Sequence, residues 1–210
     1  MASHATNATD GPSANEVLAR LIEGNARFVR GESRLGPVAA LSRSELARGQ
    51  RPYATILGCS DSRVPPELVF DAGLGELFVV RVAGNVFSPE VGGSLQYAGA
   101  HLQTPLFVVM GHEGCGAVGA ALETLHAGAR HRSRIQILVD SIVPGLPALD
   151  PQLSPDQRLA AAVEGNVRWT VNQIRATPEA QARAAEGRVK IVGAVYEIES
   201  GRVRFLPEQV

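Results

Sequence analysis

The chain has 210 residues, 45% of them hydrophobic and 20% charged, with a formal net charge of -1. That length suits one well-buried domain and is short for two, and the balanced charge, without a basic run or acidic tail, excludes nucleic acid as the evident partner. No stretch approaches the ~20 consecutive apolar residues of a membrane helix, so no membrane partner is expected either. The opening MASHATNATDGPSANE is polar and lacks the apolar centre of a secretory signal. Residues 1–13 therefore read as a disordered leader, 14–210 as the folded domain, and the cytoplasm as the expected location.

In chain order, Asn15–Arg30 has apolar residues at Val17, Leu18, Leu21, Ile22, Ala26, Phe28 and Val29, a spacing that fits an amphipathic helix, stopped by Gly31. Leu41–Arg48 predicts a second, short helix. Tyr53–Gly58, Leu77–Val82, Leu106–Gly111 and Val189–Ile198 are apolar runs that predict strands, and Val203–Leu206 adds a short edge strand after the Ser200–Gly201 turn. Helices are expected over Val91–Leu102, Ala117–Ala127 and, capped by Ser154 with Pro155 at its first position, Ser154–Thr177. Continuous apolar strands alternating with helices predict an α/β fold: a single domain with a central, mostly parallel sheet flanked by helices, preceded by an N-terminal helical arm.

Two segments carry chemistry. Cys59-Ser60-Asp61-Ser62-Arg63 follows the first strand and His112-Glu113-Gly114-Cys115 follows the third. In an open parallel sheet, ligands bind at the carboxyl ends of the strands. The two loops would bring two thiols, an imidazole and a carboxylate to that edge, all suitable zinc ligands. Two cysteines and a histidine make a catalytic set with one open position, which Asp61 could close or act upon from behind. A disulfide between Cys59 and Cys115, two inert buried cysteines, or a surface ion pair between Arg63 and Asp61 are the plainer outcomes of the same residues.

Taken together, Cys-Ser-Asp-Ser-Arg-Val at 59–64, Val-Arg-Val-Ala-Gly-Asn at 80–85 and Gly-His-Glu-Gly-Cys-Gly-Ala at 111–117 resemble the β-class carbonic anhydrases over roughly residues 15–206. The resemblance implies one Zn2+ per chain on Cys59, His112 and Cys115, with Asp61 and Arg63 as a catalytic dyad. In the family the aspartate either accepts a hydrogen bond beside the open metal or swings in as the fourth ligand and switches the enzyme off. The resemblance further implies that Gln50 and the Gly116 N–H bind substrate, and that Phe78, Ala83 and Tyr97 line an apolar cleft completed by a neighbouring subunit. His101 matches a histidine implicated in proton transfer in some members. One position departs. Some members with the closed state carry a tryptophan three residues before the first cysteine, which joins an arginine and a tyrosine in binding inhibitory bicarbonate. Arg81 and Tyr196 match those two, but Ile56 replaces the tryptophan, which leans the reading toward an open site.

The implied activity is reversible hydration of carbon dioxide to bicarbonate and a proton by attack of zinc-bound hydroxide. Two thiolates leave the metal less positive than three imidazoles would, so alkaline pH should favour it. Hydrolysis of carbon disulfide or carbonyl sulfide, and a structural zinc module closed by Asp61, use the same ligands and stay open. A zinc alcohol dehydrogenase shares the Cys/His set, yet the chain has no Gly-x-Gly-x-x-Gly after a strand. The family implies a homodimer or dimer of dimers, with the first helix packed on a neighbour or on its own domain.

Overall fold

The computed structural model describes residues 11–34, 43–150 and 152–208. The leader expected over 1–13 thus lies outside the described residues, except for 11–13. At Ser13 the hydroxyl accepts from the Glu16 N–H while the Glu16 carboxylate accepts from the Ser13 N–H, a capping box that starts α1 (Ala14–Arg30). Gly31, in the left-handed region, ends it. The remaining elements are α2 (Arg43–Leu46), β1 (Ala54–Gly58), α3 (Pro66–Val69), β2 (Leu77–Arg81), α4 (Pro89–Tyr97), β3 (Leu106–His112), α5 (Gly116–Ala127), α6 (Arg134–Ile142), α7 (Pro155–Arg175), α8 (Pro178–Ala185), β4 (Lys190–Tyr196) and β5 (Val203–Phe205). The first two residues of the short helix expected over Leu41–Arg48 fall outside the described residues.

The strands form one sheet in the order β2-β1-β3-β4-β5, parallel except for the antiparallel pairing of β5 on β4. Every residue of β1 and β3 is buried, which is why both read as unbroken apolar runs. The expected α/β domain with a mostly parallel sheet is the one found. The chain runs outward from β1 to β2, then crosses back to place β3 on the other side of β1. The carboxyl ends of β1 and β3 are therefore the point at which the winding reverses, where such sheets open a crevice.

On one side of the sheet, α1 buries Val17 and Leu21 against its own chain. Asn25, at the end of that stripe, donates from Nδ2 to Val69 O and Gly201 O and accepts from the Val203 N–H, tying α1 to α3 and to the β4–β5 turn. On the other side α7 lays Val163, Val167 and Val171 over β3 and β4. Its valines come so close to Gly111 and Gly193 that a Cβ at either glycine would meet them at under 3 Å.

The sequence reading missed three helices. α3 is a single turn beginning in Pro65-Pro66, which reads as loop. α6 starts after Ser133, where Ser133-Arg134-Ile135-Gln136 is a capping-box pattern that the sequence reading passed over, although at φ 59° the Ser133 side chain makes no cap. α8 follows α7 after a short break, because Pro178 cannot continue α7 but suits a first helical position, and Thr177 accepts from the Ala180 N–H as its cap. The helix expected over Val91–Leu102 begins earlier, at Pro89 behind the Ser88 cap, and ends as a π turn over Ala98–Leu102.

Candidate metal centre

The ladder between β1 and β3 pairs Gly58 with Met110, so Cys59 leaves its strand almost level with His112. The sharp turn through Gly114, at φ 65°, then brings the chain back to Cys115 at the start of α5. The outcome is a compact group: Cys59 Sγ, a ring nitrogen of His112 and Cys115 Sγ all lie within 4.8 Å of one another, and all three residues are buried. Both cysteines are free thiols, so the disulfide alternative is not the arrangement formed.

His112 Nδ1 lies 2.9 Å from the carbonyl oxygen of Glu113. A carbonyl can only accept, so Nδ1 carries the proton and Nε2 presents its lone pair. That Nε2 is buried and has no hydrogen-bond partner. A buried lone pair without a partner is costly unless something else meets it, and two thiols beside it complete a donor set suited to zinc.

The two thiols share one charge. The hydrogen bond from Cys115 pushes the Cys59 thiol down, with help from His112 and the Gly84 N–H. The hydrogen bond with Cys59, followed by burial, pushes Cys115 up, while the N–H groups of Val118 and Ala117 at the start of α5 pull the other way. Burial opposes a charged His112, but the Cys59 thiolate outweighs it and the net shift is upward. Such a cluster holds protons that a divalent metal would displace.

Asp61 stands beside this group with Oδ2 at 3.9 Å from His112 Nε2. Arg63 grips it with both ends of the guanidinium, Nε to Oδ1 at 2.9 Å and Nη2 to Oδ2 at 2.8 Å, and its backbone N–H adds a third bond at 3.0 Å. These bonds hold the Asp61 carboxyl well below the usual carboxylate range. Arg81, at the end of β2, donates to the carbonyls of Cys59 at 2.9 Å and Asp61 at 2.6 Å and so fixes the backbone of the same loop. Glu113 is not in the donor group; its carboxylate accepts from the Ile198 N–H.

The other residues singled out in the sequence surround this centre less tightly. Gly116 is exposed in the first turn of α5, Ala83 and Phe78 are half-buried, and Gln50 is exposed in the stretch before β1. Tyr97 is 47% exposed, with its ring 6.1 Å from that of Phe78 and 5.0 Å from that of His101. The cavity of about 530 Å³ between α4, α7 and α8, lined in part by Phe87, Phe107 and Ile174, contains none of these donors. The sequence reading missed the contact of the Gly84 N–H with Cys59 Sγ at 3.3 Å and the buried Asn166 behind it. The signal was there: Asn166 is a polar residue on the apolar stripe of α7.

A Cys/His/Cys donor set at the reversal point of a parallel sheet, with a carboxylate held at its edge, defines a metal-dependent α/β enzyme. The carbonic anhydrase family model matches residues 54–203. "Carbonic anhydrase 2" of Mycobacterium tuberculosis is 40% identical over 194 residues, covering 91% of this chain and 93% of that protein. A carbonic anhydrase of Mycolicibacterium smegmatis is 41% identical over 199 residues, covering 92% and 95%. Among solved structures, the β-carbonic anhydrase CcaA superposes with a TM-score of 0.70 at 27% identity, covering 90% of this chain and 94% of that one. A Coccomyxa β-carbonic anhydrase in complex with acetazolamide gives 0.68 at 28%, covering 90% and 86%. The chain belongs to the β-carbonic anhydrase family, enzymes whose general reaction is the hydration of carbon dioxide.

Proposed function

We propose that this protein is a zinc carbonic anhydrase that interconverts carbon dioxide and bicarbonate, with one Zn2+ per chain on Cys59 Sγ, His112 Nε2 and Cys115 Sγ. The observation that carries the reading is the buried, unpartnered His112 Nε2 among two free thiols. Zinc bound there would supply Lewis acidity, making a water far more acidic than bulk water, though less so than on three imidazoles. The rest is the work of the chain. Arg63 keeps Asp61 ionised and holds it at the edge of the donor group. From there Asp61 acts as an acceptor that orients the proton of the attacking water. The Gly116 N–H and the Gln50 amide donate to a substrate oxygen as charge develops on it. Phe78, Ala83 and Tyr97 offer an apolar wall to a linear, apolar substrate. The exposure of Tyr97 supports a cleft completed by a second chain in a homodimer or dimer of dimers. The Asp61–Arg63 grip, with Ile56 in β1, supports an open resting state.

The test is zinc content measured with stopped-flow carbon dioxide hydration from neutral to alkaline pH. One zinc per chain, with hydration at all these pH values, is expected. Activity that appears only at alkaline pH would mean an Asp61-closed resting state, and bound zinc without hydration at any pH would sink the assignment.

A further inference from the structure

Cys59 Sγ receives a hydrogen bond that the ligand reading does not use, from the backbone N–H of Gly84 at 3.3 Å. Gly84 lies in a single 3-10 turn, Ala83–Asn85, just after β2, with φ 68° and ψ 15°. A Cβ there would meet Ile142 Cδ1 at 2.8 Å and Ala117 Cβ at 3.2 Å, so α5 and α6 close on it directly. The third hold comes from α7. Asn166 Nδ2 donates to the Gly84 carbonyl at 2.8 Å, a contact across 82 residues of sequence.

Asn166 is 1% exposed and lies between Val163 and Val167 on the stripe that α7 lays on the sheet. Its Oδ1 has no partner. A buried amide with one orphaned end is an expensive way to fill a core position, where an aliphatic side chain would carry no such cost. The donor end meets one group only, and that group belongs to the residue whose N–H reaches the thiolate.

We infer that Asn166 is a positioning residue for the metal centre: by pinning the Gly84 carbonyl it aims the Gly84 N–H at Cys59 Sγ, and so limits the electron density that this sulfur gives the metal. The inference rests on Cys59 being a ligand. A hydrogen bond to a ligating sulfur draws charge from it and leaves the metal more electrophilic, as partners behind the ligands do at metal sites generally.

NMR of the cadmium-loaded protein tests it. The wild type is expected to show coupling of the metal to the Cys59 β-protons and, through the hydrogen bond, to the Gly84 amide proton. In Asn166→Leu the Cys59 coupling should persist and the Gly84 coupling be lost. In the cobalt-loaded variant the sulfur-to-metal charge-transfer band should move to longer wavelength, because the sulfur has become the better donor. Wild-type protein with the Cys59 coupling and none to Gly84 overturns the inference without any variant. A folded Asn166→Leu with unchanged coupling and band does the same. Cadmium uncoupled from Cys59 overturns the ligand reading and this inference with it. If Asn166→Leu does not fold, Asn166→Ala, which removes the donor without adding bulk, is read in the same way.

Discussion

Each donor at the centre is prepared by a different neighbour. Glu113 fixes the His112 tautomer, Gly84 donates to Cys59, and the start of α5 lies at Cys115. Cys59→Ser or Cys115→Ser should therefore abolish stoichiometric zinc and, with it, hydration, read by elemental analysis and stopped-flow. Asp61→Asn keeps the size of the side chain but loses its charge. It should retain zinc while turnover falls by roughly 10–100-fold, the usual scale for groups that orient a metal site from behind; full activity would remove Asp61 from the mechanism. The pH dependence of this carboxylate has a definite sign. Its folded pKa is depressed by Arg63, so the pairing is complete above the ordinary carboxylate range and is lost only as pH falls through the depressed value. A carbon-detected titration of the Asp61 carboxyl should show no protonation at the pH where exposed aspartates titrate, and Arg63→Ala should return it toward them.

At the scale of elements, the site is a set of strand ends held by turns. Gly84→Ala should destabilise the fold by about 1–2 kcal/mol through its left-handed backbone alone, and further through the contact with Ile142. It should also weaken metal binding, whereas Ser154→Ala, which removes the α7 cap far from the donors, should cost about 1 kcal/mol in thermal or denaturant unfolding and leave metal content unchanged. The sheet strands were legible because β1 and β3 are buried on both faces and so are mostly apolar, Thr55 and His112 being their polar residues. α3 and α8 were not, since a one-turn helix and one restarting at Pro178 have little room for a periodic pattern, while the start of α6 at Ser133 was simply passed over. The convergence of Cys59, His112 and Cys115 could be read from two loops that each follow such a strand. Asn166 could be picked out as a polar residue on an apolar stripe, but not its partner, because a contact spanning 82 residues depends on how α7 crosses the sheet.

For the molecule as a whole, the isolated chain leaves Tyr97 47% exposed beside Phe78 and His101, and Ile135 and Ile137 of α6 57% and 66% exposed. Sedimentation should show a dimer or dimer of dimers. Tyr97→Glu should shift it toward monomer with zinc retained, and a fully active monomer would place the whole cleft within one chain. The order of the donors along the chain has a consequence of its own. Cys59 lies at the end of β1 and Cys115 at the start of α5, and all of β2 and α4 lie between them. A metal bound to both ends fastens this long loop shut, much as a disulfide would, and reduces the freedom of the unfolded chain by on the order of 4 kcal/mol. On the proposed reading, zinc would then be a clasp as well as a reagent. Protein stripped by a chelator should melt well below the zinc-loaded form.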